Sequence, residues 1–495
     1  MTAALFQARR VATRNPDDHN LDDRDTAPDY RRAHLRRTLP WLLAAALFAV
    51  YAALAVRDQQ RMVTTGYDLG IFDQAVRSYA HGQLPISTLK GPNYDLLGDH
   101  FSPIIATLAP FYLLWPSAYT LLLAQAALLA VAVVPLSRWA TTELGPRAGL
   151  AVGVIYGASW GIASAAGFDF HEVAFGVPLL AFSATALGQR RPHAAILWAL
   201  PLLLVKEDLG FTLAAIGTIA ALRGAKRLGL AAAVLGIAGS IVEIEVLIPA
   251  ANPAGYAYTN SLFTGGPAHA GILAHLLYDA AHLLVPHVKI ITLIQLLAPT
   301  AFLAWRSPLI WLTAPTLTWR FLSENAVYWG TMFQYSAVLM PIVAAAFIEA
   351  LIRRRTRGQE STQPWWKTTV STPLAIGLIV TAVLLPSYPL AKLTHPSEWS
   401  TPPRIAVARS LLQRIPNGAT VSASNALIPQ LTDRTTVYLF DPSTLGSVEW
   451  IALDTQSSSG FPLPLAASRQ LVTTAEHEGF HVVETRDGYL LLHRS

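Results

Sequence analysis

Residues 31–74 read RRAHLRRTLPWLLAAALFAVYAALAVRDQQRMVTTGYDLGIFDQ. A basic block runs into an apolar stretch, and that stretch runs out into a segment carrying Asp68 and Asp73. Lys and Arg collect in cytoplasmic loops. The passage therefore predicts a first transmembrane helix near 39–56, with the N-terminus inside and the acidic segment outside. The alternation continues along the chain. SRWATTELGPR (137–147), GQRRPH (188–193), RGAKR (223–227) and RRRTRGQ (353–359) fall on one side, and GDHF (98–101), FDFHE (168–172) and KED (206–208) on the other. Inner segments up to residue 367 hold 21 Lys/Arg, against about five in the outer loops before the final domain. Every carboxylate of chemical interest is thereby expected on the outer face, where ionisable groups at a bilayer edge are costly and usually functional.

Composition agrees. Of 495 residues, 53% are hydrophobic and only 14% charged, with a mean hydropathy of +0.38. Soluble domains carry about 25% charge, so a polytopic α-helical membrane protein is expected. The net charge of +5 is no nucleic-acid signal, because the excess Arg lies in short loops beside apolar spans. The absence of Cys excludes disulfides, thiolate metal sites and thiol nucleophiles. Residues 1–38 are expected to be a disordered basic cytoplasmic tail, too long for the charged region of a signal peptide.

A span needs roughly 20 apolar residues. About eleven are expected, near 39–56, 118–137, 148–166, 173–188, 193–206, 209–222, 228–250, 289–305, 308–322, 333–352 and 369–387, within a membrane domain of 39–390. The short pair 193–206 and 209–222 could instead be re-entrant. Two outer loops are long. Loop 57–117 contains SPIIATLAPFYLLWP, too short to span and suited to an interfacial helix with Tyr112 and Trp115 at headgroup depth. Loop 251–288 holds Tyr256, Tyr258, His269, His275, His282 and His287. From 395 to 495 the pattern changes to that of a small extracytoplasmic α/β domain. It runs from helix AVARSLLQRI through strands ATVSAS, TTVYLF and VEWIALD to helix LAASRQLVTTAEHEG, closed by Gly479, and a hairpin FHVVETRDGYLLLHR turning at Asp487-Gly488.

Each acidic motif has a functional and a plain reading. Asp68 and Asp73 could take a proton from an acceptor hydroxyl or hold a cation, while Asp68 also suits a helix N-cap. In GDHFSP, Asp99 could orient His100 or join it on phosphate or metal; Ser102-Pro103 would equally open a helix. Asp169, His171 and Glu172 crowd a short turn between Phe residues and could ligate a divalent ion; a polar turn is the alternative. Lys206 could hold phosphate or simply pair with Glu207 or Asp208. Arg320, at bilayer depth, could grip a phosphate oxygen through its fork or snorkel to the headgroups.

The strings YDLGIFDQAVRSYAHG, GDHFSPIIATLAPFYLLWPS, FDFHEVAFGVPLLA, LLLVKEDLG and FQYSAVLMP, in that order over roughly 40–350, resemble the bacterial membrane family known as domain of unknown function 2079. Gln334 stands before Tyr335 where that family would carry His. The family is grouped with the C-type (GT-C) membrane glycosyltransferases. The resemblance implies a GT-C-like fold and transfer of a sugar from a polyprenyl-phosphate donor to a glycan or protein acceptor outside a bacterial plasma membrane, in envelope glycan or glycoprotein synthesis. On it, Asp68 would be the base, supported by Asp73 or Asp169. Arg320, His171 and Lys206 would neutralise the departing phosphate, and Asp99, His100 and Glu172 would complete the cavity. No cofactor is required by this scheme, although a divalent ion on Asp169, His171 and Glu172 would be compatible with it. The rivals are a lipid-linked transporter or flippase, expected to carry charge at mid-bilayer, and a non-catalytic envelope-assembly protein.

Overall fold

The computed structural model describes residues 26–258, 283–360, 369–457 and 460–494, with side chains from Arg37 onward and up to Arg357 in the helix that ends the second stretch. Most of the expected tail, and His269, His275 and His282, lie outside the described residues. The first helix, α1 (Thr26–Gln60), is longer than the predicted span at both ends. A π-helical turn, Gly66–Gly70, leads into α2 (Ile71–Ala80). The bundle then contains α3 (Ala118–Leu144), α4 (Val173–Gly188), α5 (Leu209–Leu222), α6 (Lys226–Val242), α7 (Ala314–Leu322) and α8 (Leu339–Glu360), among shorter segments.

Length and composition qualify three described helices to cross a membrane, Arg37–Gln60, Ala118–Leu144 and Lys226–Ala251, or four if Pro146–Gly157 and Trp160–Ala166, bent by 52°, form one span. The other apolar helices are shorter than expected, and proline explains several of the breaks. Pro201 and Pro308 begin 3-10 turns, and Pro299 sits in another, because proline lacks the N–H that an α-helical ladder needs. α5 and α6 pack almost backbone to backbone. A Cβ at Gly236 would lie 2.3 Å from the Gly210 carbonyl oxygen, so only a small-residue seam permits this approach. At the end of α5 away from Lys206–Asp208, Glu349 binds Arg223 at 2.7 Å and Arg353 at 2.9 Å and accepts a hydrogen bond from Ser307.

The C-terminal unit forms a five-stranded sheet in the order β2-β1-β3-β5-β4. Strands β1 (Thr420–Ala423), β2 (Thr436–Leu439) and β3 (Trp450–Asp454) are parallel, and β4 (Phe480–Arg486) and β5 (Tyr489–Arg494) form an antiparallel hairpin. Asp487 and Gly488 turn that hairpin with φ of 48° and 79°, the left-handed pair a two-residue loop requires. Helices α9 (Pro403–Leu412) and α10 (Leu465–His477) complete the unit.

This unit is docked on the first loop. Buried apolar residues of α2, including Ile71, Ala75 and Val76, share one core with Val421, Leu427, Ile428 and Leu431. Gly66 is required here, since a Cβ would stand 2.5 Å from the Ile428 side chain. Arg77 donates to the carbonyls of Thr432 and Thr435, and Gln74 and Thr88 both donate to that of Val437.

Candidate functional site

The π-turn that carries Asp68 is held from two directions. Thr65, extended at φ −121°, precedes it and donates both its N–H (3.0 Å) and its hydroxyl (2.6 Å) to Asp169 Oδ2. From the α/β unit, the Asn425 carbonyl accepts Gly66 N–H at 2.8 Å and its Oδ1 accepts Tyr67 N–H at 2.9 Å. π-Turns within helices concentrate at functional sites, where they re-aim a side chain. Here the side chain is Asp68, which is 34% exposed and faces an open cavity.

The FDFHE turn is clamped in the same manner. Gln125, buried in α3, donates to the carbonyls of Ala165 and Asp169 and accepts the His171 N–H at 3.0 Å. His171 Nδ1 lies 3.0 Å from the Asp169 carbonyl oxygen and Nε2 lies 3.2 Å from Asp68 Oδ1. A carbonyl only accepts, so Nδ1 carries a proton. The remaining proton is shared between Nε2 and Asp68, as in an imidazolium–carboxylate pair. The electrostatics agree. Burial works against the charged forms of both, but each partner outweighs it, leaving Asp68 below and His171 above its ordinary range. Asp169 differs. Burial pushes its carboxyl up to about 7, with Thr65 opposing and the Asp68 charge adding to the rise.

A second layer of ion pairs continues around the cavity. Lys206 meets Glu172 at 3.0 Å, His100 Nδ1 meets Glu207 Oε1 at 2.8 Å, and Lys90 meets Asp99 at 2.9 Å. Tyr256 donates to Glu207 at 2.7 Å, and Tyr258 stacks on His100 at 4.4 Å between centroids. Burial opposes ionisation of Glu207, yet His100, Lys206 and Tyr256 pull it down to about 2. Burial and Lys206 disfavour the charged ring of His100, and Glu207 and Asp99 reverse that. For Asp208, burial wins and raises it to about 6, although Trp319 Nε1 donates to it at 2.9 Å.

Most of these groups, though not Asp169 or Glu207, line one cavity of about 730 Å³. Asp68, Asp99, His100, His171, Glu172 and Lys206 all face it, so the structure brings together six of the nine residues singled out in the sequence. The cavity is two-faced. Beside the ionised rim it is lined by apolar Phe72, Phe211, Ala214, Ile237, Ile244 and Leu322. Phe211 on α5 and Ile237 on α6 are also partly exposed, at 37% and 44%.

Three expectations need correction. Asp73 does not face the cavity. It is fully buried against the α/β unit, where Tyr112 donates to it at 3.2 Å. Arg320 is fully buried too. Its donors go to the carbonyls of Tyr328, Tyr335 and Gly330 and to Ser336 Oγ, at 2.7–3.3 Å, so it braces the 328–336 loop instead of offering its fork to phosphate. The third concerns the metal set. Asp169, His171 and Glu172 diverge, to Thr65, Asp68 and Lys206 respectively, and among the described residues no group of three or more His, Asp or Glu could hold a metal ion. Asp169 itself lies one layer behind Asp68, reached through Thr65, whose hydroxyl is also 3.4 Å from Asp68 Oδ2. Lys90 escaped the sequence reading because it lies in a turn-rich loop. Gln125 escaped it too, although an amide inside LLLAQAALLA was a usable signal.

A family model described as "Predicted membrane protein (DUF2079)" matches residues 59–491. No curated protein matches the sequence. Among solved structures, ArnT from Cupriavidus metallidurans bound to undecaprenyl phosphate superposes with a TM-score of 0.54 at 12% identity, covering 92% of this chain and 98% of that one. Its apo state gives 0.53 at 13% identity, covering 91% and 97%. At such identity the likeness shows the fold alone: this chain shares its overall arrangement with ArnT.

Proposed function

The chain belongs to the DUF2079 family of predicted membrane proteins, and we propose that it is a C-type glycosyltransferase using a polyprenyl-phosphate-linked sugar. The observation that carries this reading is the two-faced cavity. An ionised rim built on Asp68 shares the cavity with apolar residues of α5 and α6, two helices that carry exposed apolar side chains along their length. A lipid phosphate sugar has that same polarity, an apolar chain ending in an anion and a carbohydrate. The undecaprenyl phosphate bound to ArnT supports a ligand of this class in this fold.

In the proposed reaction Asp68 accepts the proton of the acceptor hydroxyl as its oxygen bonds to the sugar C1. The bond from C1 to the phosphate oxygen breaks on the opposite face, and its electron pair leaves on the lipid phosphate. The anomeric centre is inverted. Lys206, His171, His100 and Lys90 are the cations nearest this process, and their carboxylate partners hold them in place before the anion arrives. Preorganised charge of this kind costs no reorganisation during the reaction, and holding two substrates in line supplies much of the remaining rate.

The apolar runs of the sequence support about eleven crossings of a bacterial plasma membrane, and the basic asymmetry of the loops supports the N-terminus inside and the cavity and α/β unit outside. The acceptor would be an envelope glycan or a protein. One observation favours a second reading, translocation of a lipid-linked substrate without cleavage. Glu243 is buried within the Lys226–Ala251 span, and among the described residues its Oε2 has no partner. A single assay separates the two. Full-length protein in vesicles, given polyprenyl-phosphate carrying a labelled sugar and an envelope extract as acceptor, is expected to release free polyprenyl phosphate as label moves to the acceptor. Movement of intact labelled lipid between leaflets, with no cleavage, would replace transfer by translocation.

A further inference from the structure

The α/β unit carries a crevice of its own. Strand β1 is flanked by β2 on one side and β3 on the other, all parallel, so the chain reverses its winding direction about β1. In open α/β sheets, ligands bind outside the carboxyl ends of the strands at such a switch point. A crevice of about 50 Å³ lies there. Ser424 and Asn425, directly after β1, line it together with Phe440 after β2, and Asp454 and Thr455 at the end of β3. Gly460, Phe461 and Arg469 close its other side.

The chemistry of this lining is one-sided. Asp454 is neutralised by a bidentate pair with Arg404, at 3.0 and 2.6 Å. Ser424 Oγ already accepts Asp454 N–H at 2.9 Å, which leaves its hydroxyl hydrogen to donate. Asn425 Oδ1 is taken by Tyr67 N–H, which leaves its amide NH₂. Among the described residues, the exposed Arg469 guanidinium has no hydrogen-bond or ion-pair partner. Phe461 is 42% exposed and presents a ring beside these donors. Unspent donors, one free cation and an aromatic face suit a sugar carrying a carboxylate or phosphate better than a peptide, which brings as many donors as acceptors.

The crevice is joined to the catalytic loop. The Phe461 ring packs edge-on against Tyr67 at 5.1 Å, and Tyr67 lines the main cavity next to Asp68. From the other side Lys90 Nζ stands 5.0 Å from the centre of the Tyr67 ring. One aromatic pair therefore separates the two spaces. We infer that the crevice over the carboxyl ends of β1, β2 and β3 is the acceptor subsite, and that the acceptor is an anionic glycan. One edge of an anionic sugar is held by Arg469 and Asn425 while the next residue of the glycan reaches past Tyr67 to Asp68. This inference rests on the transferase reading.

The test is binding, so it does not depend on transfer. Full-length protein in lipid nanodiscs is titrated with methyl glucuronoside, with methyl glucoside and with a neutral hexapeptide, followed by saturation-transfer NMR. Wild type and Asp68→Asn are expected to bind the uronoside equally. The glucoside should bind about tenfold more weakly, and Arg469→Glu should weaken the uronoside by about tenfold or more, as loss of a charge-assisted hydrogen bond does. Phe461→Ala should weaken both sugars, and Arg469→Lys should restore most of the difference. Equal binding across the variants, binding of the peptide alone, or no binding of either sugar would overturn the inference. Acceptor KM in the vesicle assay separates its failure from that of the wider reading. Unchanged KM in Arg469→Glu, with transfer intact, removes the subsite and leaves the transferase. Arg469-dependent binding without any cleavage of lipid-linked sugar removes the transferase and leaves a sugar site.

Discussion

Asp68 turns one oxygen to His171 and leaves the other with only a 3.4 Å contact to Thr65. That arrangement suits a base that is ionised at neutral pH and still has an oxygen to use. Arg320 stands in contrast. Its charge is spent on three carbonyls and a hydroxyl of the 328–336 loop, which also presents Tyr328, Gln334 and Tyr335 to the cavity. Arg320→Lys keeps the charge but cannot span these acceptors, and each buried carbonyl left unpaired costs about 1–3 kcal/mol. The expected outcome is a clear loss of thermal stability and yield in detergent, with the donor KM of the surviving protein changed less than twofold. A large donor KM effect at unchanged stability would return Arg320 to the phosphate. The sequence marked Arg320 as an expensive residue at the membrane edge but not its direction, because its partners are backbone carbonyls that no side-chain pattern announces.

At the scale of elements, the junction between α2 and the α/β unit decides how the Asp68 loop is held. Asp73 follows Asp68 by five residues, roughly 140° further around a helix, so one carboxylate faces the cavity and the other faces Thr432 and Asp433. Burial first, and then the Asp433 charge, raise Asp73 to about 7 against an ordinary 3.8, with Tyr112 opposing. The folded protein thus keeps a proton that the unfolded chain releases near pH 4. Between those two values the folded state binds more protons, so this contribution to stability falls as pH rises from about 4 through 7. Asp73→Asn imitates the protonated group. It is expected to leave the melting temperature unchanged near pH 4 and to raise it near pH 8, with stability higher by up to roughly 4 kcal/mol. A parallel offset at both pH values would show that Asp73 is ionised throughout. The strands and helices of this unit were legible because periods of 2 and 3.6 residues are local signals. Its docking face was not, since Gly66 against Ile428 and Arg77 against the Thr432 and Thr435 carbonyls join residues some 360 positions apart.

At the scale of the whole molecule, the cavity lies where the ends of short helices meet the first loop. GDHF, FDFHE and KED were readable as contributors because ionisable groups wedged between apolar runs are costly at a bilayer edge and mark a polar site there. The number of crossings was less readable, because Pro and Gly break the helices into pieces shorter than a bilayer. The proposed orientation puts the basic cluster at Glu349 inside and the cavity outside. A reporter active only in the cytoplasm, fused after Ser495, should therefore be silent, and the same reporter inserted within residues 353–367 should be active. In the proposed transfer Asp68 takes the proton of the acceptor hydroxyl, and Asp68→Asn removes that capacity alone. Asn keeps the shape and can still accept from Thr65, but it cannot take a proton at neutral pH. In membranes supplied with labelled polyprenyl-phosphate sugar, the variant should accumulate to the wild-type level while its transfer rate falls by about 10²–10⁴. Transfer at the wild-type rate would contradict the account.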